Sequence, residues 1–193
     1  MTIVTGGVAE RPCVRLQIAS SKRIYRGSNP LPTFLQTLKW HPDVPAPVRT
    51  FSHAFTVGAP IDRVWEFYTD AGHLEVITPP QLKLKMETST TGRRLEHGTE
   101  VWISGSLVAR VRWHSKITRM EPHLYVDEML EGMFKVWKHT HSFRQEEGGT
   151  EVIDEIVFEL PCGIIGRAFE GYASDQLKKI FAYRKEATIK ALR

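Results

Sequence analysis

The stretch Phe134-Lys135-Val136-Trp137-Lys138-His139-Thr140-His141-Ser142-Phe143, followed by the turn Glu147-Gly148-Gly149-Thr150, decides how this chain folds. Its alternation places Val136 and Lys138 on one face of a strand and Trp137, His139, His141 and Phe143 on the other. The glycine pair turns the chain into a second strand, with Val152, Asp154, Ile156 and Phe158 on one face and Glu151, Glu155 and Glu159 among the residues opposite. Pro161 and Gly163 end that strand, and from Gly166 to Arg193 no residue stops a helix. A sheet face that carries Trp, two His and Asp beneath a terminal helix describes a lined cavity better than an ordinary core.

Working outward, Phe51, His53, Phe55 and Val57 alternate as a first strand opening at Arg49. Pro60 then starts a helix through Ile61, Val64, Trp65 and Tyr68. Asp70-Ala71-Gly72 interrupts it, and one further turn, His73–Ile77, ends at Pro79-Pro80. Alternating runs follow through Leu82–Met86, Val101–Leu107, Val111–Ile117 and Leu124–Leu130. Seven strands result, joined mostly by short turns, which predicts an antiparallel meander bent at residues such as Gly105. The closing helix carries an apolar stripe of Ile165, Phe169, Ala173, Leu177, Ile180 and Ala187, widened by Tyr172, Phe181 and Tyr183. Its 28 residues span about 42 Å, enough to cross the concave face of a curved sheet. One helix cannot fill that face, so a pocket is expected, open near the tandem helices.

The chain has 193 residues, 41% hydrophobic and 25% charged, which suits one domain with an appendage. Residues 1–48 hold six basic and two acidic side chains, a net +4 equal to that of the whole chain, so residues 49–193 are neutral. The pI of about 9.1 therefore belongs to the leader. The domain has no basic stripe interleaved with aromatics, and nucleic acid is not an expected partner. Five prolines between Pro30 and Pro47 mark the leader as a linker. Within it Leu31, Phe34, Leu35 and Leu38 fall at helical spacing, which leaves residues 31–40 either a short amphipathic helix that docks on the domain or makes transient membrane contact, or a disordered segment. A chain starting near Pro47 is expected to melt within a few degrees of the full chain, with thermal unfolding as the check. Cys13 and Cys162 lie far apart beside prolines and suggest neither a disulfide framework nor a zinc ribbon. With no compact apolar leader and no run of about 20 apolar residues, a cytoplasmic protein is expected. The acid-poor leader leaves an organelle-targeting role open.

Several segments together resemble the SRPBCC or START-like superfamily, and in particular small bacterial ligand-binding proteins related to polyketide cyclase/dehydrase and coenzyme Q-binding proteins. They are Leu74 with Ile77-Thr78-Pro79-Pro80, Gly98-Thr99, Val126-Asp127-Glu128, Trp137 through Phe143, Gly148-Gly149-Thr150, Asp154, Leu160-Pro161 and Ile180-Phe181-Ala182-Tyr183-Arg184. The resemblance covers residues 50–190 and leaves out 1–48. It implies an α+β helix-grip fold: a seven-stranded curved antiparallel sheet, two short helices after the first strand, and a long C-terminal helix over the concave face. It also implies an internal cavity for a lipid, quinone, isoprenoid or polyketide-like molecule, with no metal and no cofactor. Fold alone does not give function.

Trp102, Trp113, Glu128, Trp137, His139, His141, Tyr172 and Phe181 are the expected lining of that cavity. His139 and His141, at i and i+2, point the same way, and Asp154 follows on the adjoining strand. Three chemistries stay open for them. They can anchor a ligand by hydrogen bonds in an apolar pocket, act as acid and base on a bound ketide or ring as in a cyclase or dehydratase, or form part of a two-His carboxylate metal set. A non-catalytic partner module remains a further alternative, marked by an exposed apolar patch and a filled interior. Ligand identity and oligomeric state are not legible. On the anchor reading, His139→Asn leaves the fold intact and alters ligand preference.

Overall fold

The computed structural model describes residues 48–106, 110–161 and 163–193, with side chains of the last segment described from Gly171 onward. The leader with its 31–40 segment, Leu107, both cysteines and the stripe positions Ile165 and Phe169 lie outside the described side chains. The strands are β1 (Arg49–Val57), β2 (Lys85–Ser89), β3 (Glu100–Ser106), β4 (Arg110–Glu121), β5 (Leu124–Glu131), β6 (Val136–Glu146) and β7 (Gly149–Glu159). The helices are α1 (Ile61–Tyr68), α2 (His73–Val76) and α3 (Gly163–Ala191). All neighbouring strands are antiparallel, in the order β1-β7-β6-β5-β4-β3-β2. The expected seven-stranded helix-grip architecture is what the chain adopts.

One local expectation needs correction. Leu82 sits in a 3-10 turn, Pro80–Leu82, and β2 starts only at Lys85, because Lys83 takes a left-handed conformation with φ 45°. Register shifts lie in β2 between Met86 and Thr88 and in β4 at His114/Ser115 and Ile117/Arg119, while pairing runs unbroken through Gly105 opposite Val111. Gly105 serves a close approach: a Cβ there would meet the Leu82 carbonyl oxygen at 3.2 Å.

At the hairpin, Gly149 holds φ 146°, and any side chain would collide with the Val57 carbonyl as β1 passes. Gly149→Ala is expected to cost about 2–3 kcal/mol, measured by denaturant unfolding.

The core is divided. One apolar cluster joins Phe55, Val64, Tyr68, Phe143, Val152 and Leu192 beneath α1. A second joins Trp137, Ile156, Phe158, Leu177 and Phe181 beneath the middle of α3. Between them five elements contribute polar residues. On β1 it is His53, between Phe51 and Phe55; on β5 Asp127, between Tyr125 and Met129. On β6 His139 and His141 lie between Trp137 and Phe143, and on β7 Asp154 lies between Val152 and Ile156. On α3, Arg184 lies between Phe181 and Thr188. A polar belt across the middle of a hydrophobic core destabilises a fold unless it is hydrogen-bonded, so its presence points to the site.

Candidate functional site

Strand pairing builds the belt. His139 stands opposite Asp127 on β5, and His141 stands opposite Asp154 on β7, with His53 of β1 on Asp154's other side. Both rings are buried, and their centroids are 3.7 Å apart. His139 Nε2 donates to Asp154 Oδ1 at 2.9 Å, and His141 Nε2 donates to Asp127 Oδ2 at 3.2 Å. The remaining nitrogens also face carboxylates: His139 Nδ1 is 3.5 Å from Asp127 Oδ2. His141 Nδ1 is 3.0 Å from Asp154 Oδ1, but off the line that a hydrogen bond requires. Arg184 closes the cluster from above, with Nη1 3.9 Å from Asp154 Oδ1 and its guanidinium 4.7 Å from the centre of the Phe181 ring. Tyr125 stacks on His141 at 4.1 Å, and Tyr68 hydrogen-bonds Thr188 at 3.1 Å.

The charges follow from these contacts. Burial and the neighbouring His141 charge push His139 down to about 4, against the pull of both carboxylates, so this ring is neutral at pH 7. Burial opposes charge on His141 too. There the hydrogen bond to Asp127 and the attraction of Asp154 prevail, and its pKa lies above the ordinary histidine value. Asp154 is fully buried, which raises its pKa, yet the two histidines more than offset this and keep it ionised. Asp127 is lowered in the same way, chiefly by His141 against the effect of burial. Two carboxylates thus face Arg184 and a pair of rings of which His141 takes up an additional proton more readily than His139.

Beside the belt lies a cavity of about 190 Å³. Its apolar wall is formed by Ile103, Trp113, Trp137, Leu177 and Phe181, with Leu74 and Ile77 closing the side near α2. Asp127, His139, His141 and Arg184 form its polar end. Asp154 stands behind the rings and does not reach the cavity. Several buried polar atoms around this space have no hydrogen-bond partner: Trp137 Nε1, His141 Nδ1, Asp154 Oδ2 and Arg184 Nε.

Of the expected lining residues, Trp113, Trp137, His139, His141 and Phe181 meet at this cavity. Three do not. Trp102 points to the other face of β3 and stacks on His114 at 4.2 Å. Glu128 points to the convex face, where it meets Thr118 at 3.2 Å and Lys138 at 3.6 Å. Tyr172 is 51% exposed, about 100° around α3 from the inward Ala173. Tyr183, read as widening the stripe, also faces out. The sequence reading missed Asp127, one residue from the chosen Glu128, and Arg184, a charged residue set three and four positions from buried Phe181 and Thr188. Asp127, His139 and His141 are also the residues whose donor atoms converge closely enough to hold a metal ion among the described residues.

The fold is similar to that of several solved structures. A START superfamily protein from Mycobacterium smegmatis superposes with a TM-score of 0.57 at 12% identity, covering 75% of this chain and 99% of that one. Ginseng major latex-like protein 151 from Panax ginseng gives 0.58 at 12%, covering 75% and 97%. Zhui aromatase/cyclase from Streptomyces sp. R1128 gives 0.55 at 18%, covering 76% and 92%. At these identities the likeness establishes a shared fold. No curated protein matches the chain in sequence. Residues 57–182 match the family described as polyketide cyclase / dehydrase and lipid transport, and the chain belongs to that family, within the SRPBCC, START-like group.

Proposed function

We propose that this domain binds one small amphipathic molecule, its apolar body against Trp113, Trp137 and Phe181 and its polar group at Asp127 and Arg184. The observation that carries this reading is the cavity of about 190 Å³ whose apolar wall ends in a buried, ionised His–Asp–Arg belt. Such a belt opposes folding more than apolar residues would, and a site for a polar headgroup accounts for it. Asp127 accepts hydrogen bonds and Arg184 donates them, so a ligand hydroxyl that can do both fits the polar end.

A neutral bicyclic probe tests this. In chelator-treated protein, 2-naphthol is expected to bind one per chain, about tenfold or more tighter than naphthalene, because a hydrogen bond to a charged group contributes about 1.5–3 kcal/mol. Fluorescence titration measures both constants. Equal affinities would remove the polar anchor, and no binding of either would remove the cavity reading.

One observation supports a second reading, acid–base chemistry on the bound molecule. His139 Nε2 and His141 Nε2 are each engaged by a carboxylate, and His139 Nδ1 lies 3.5 Å from the Asp127 oxygen, so that carboxylate stands between the rings and the cavity. The role of base then falls to the ionised Asp127, which does face it, and not to the histidines named from sequence.

A further inference from the structure

His139 and His141 each turn one ring nitrogen toward Asp127 and the other toward Asp154. On the cavity side, His139 Nδ1 and His141 Nε2 lie 3.5 and 3.2 Å from the same Asp127 oxygen. On the buried side, His139 Nε2 and His141 Nδ1 lie 2.9 and 3.0 Å from one Asp154 oxygen. One donor atom from each of Asp127, His139 and His141 falls within 4.8 Å of the others. An ion held at about 2.0–2.2 Å by imidazole nitrogen and carboxylate oxygen, near tetrahedral angles, keeps such donors about 3.4 Å apart. The two cavity-side separations bracket that value, and 3.5 Å is long for a hydrogen bond.

A second feature belongs to metal sites. A ligating imidazole usually hands its other N–H to a carboxylate, which sets its tautomer and aim. Asp154, fully buried, takes that place for His139 and lies against His141 as well. His141 Nδ1 and Asp154 Oδ2 are also buried without a hydrogen-bond partner.

We propose that Asp127, His139 and His141 bind a divalent transition-metal ion, the His141 Nε2 proton leaving to solvent as the ion enters, with Asp154 orienting both rings and the open coordination position facing the cavity. Two imidazoles in the donor set favour a first-row transition ion over magnesium or calcium. Arg184, 3.9 Å from Asp154, balances that carboxylate. Asp127 with a dication then leaves one positive charge at the cavity, which selects a ligand with an anionic oxygen such as an enolate, phenolate or carboxylate. The site extends the ligand-binding reading and can fail without it.

The test uses the full chain, stripped with chelator, dialysed against Zn²⁺ or Co²⁺ and freed of unbound metal. Inductively coupled plasma mass spectrometry should find about one ion per chain. Asp127→Asn and His141→Asn should each weaken uptake at least about a hundredfold at unchanged circular dichroism. Should either variant fail to fold, the cobalt form of the unaltered chain decides. Intense visible bands of four- or five-coordinate cobalt support the site, and the weak spectrum of the hydrated ion overturns it. Substoichiometric uptake, or uptake equal in wild type and folded variants, also overturns it. Binding of 2-naphthol by the stripped protein is a separate readout, so loss of the metal site and loss of the ligand-binding reading are told apart.

Discussion

Asp154→Ala is expected to lower folding stability by about 3–5 kcal/mol at pH 7 in chelator-treated protein, because it leaves buried positive charge without its counterion. The carboxylate has no exposure and sits 2.9 Å from His139 and 3.9 Å from Arg184. Removing it strands Arg184, and His141 loses one of the two charges that favour its protonation. Asp154→Asn keeps an acceptor for the His139 N–H and should cost less than the alanine variant. Urea unfolding followed by circular dichroism gives both values. A loss under about 1 kcal/mol for alanine would mean that water reaches the belt and the groups are not paired in a dry core.

Trp137→Ala is expected to weaken 2-naphthol binding roughly thirtyfold, about 2 kcal/mol, while lowering stability by less than that. The indole packs on Phe134 at 4.7 Å and Trp113 at 5.8 Å, yet it also lines the cavity, so part of its surface meets open space in the folded chain. In a filled core the order reverses, since truncating a buried Trp costs about 3–5 kcal/mol. Fluorescence titration and urea unfolding on the same preparation give the two numbers to compare.

These residues also show what could be read before the fold was known. Strand periodicity is local, so the faces of β6 and β7 were legible, and with them Trp137, His139, His141 and Asp154. On β5 alternation has no preferred sign. Leu124, Val126 and Leu130 make one face apolar, Tyr125 and Met129 the other. A slip of one residue exchanges the faces, so alternation alone points to Glu128 where Asp127 faces inward. What selects Asp127 is its pairing with His139, a contact between strands. Trp102 failed for a related reason, because an aromatic on the outer face of a sheet reads like one in the core until its partner, His114, is known.

The helix α3 misled differently. Its buried line is Leu177, Phe181, Arg184 and Thr188, continued by Leu192 just past its end, at spacings of four, three, four and four. Two of the five are polar, so apolar spacing alone points toward Tyr172 and Tyr183, which are exposed. The charged residue on the buried line was the signal, and only Asp154 beneath it gives it meaning.

The proposed binding site is the space between the sheet and α3. Intermolecular nuclear Overhauser effects from bound 2-naphthol test it most directly. The aromatic protons of the probe should show contacts to the side chains of Trp113, Trp137, Phe181 and Leu177. Contacts confined to exposed Val76, Tyr172 and Tyr183, with none to Trp137 or Phe181, would contradict it.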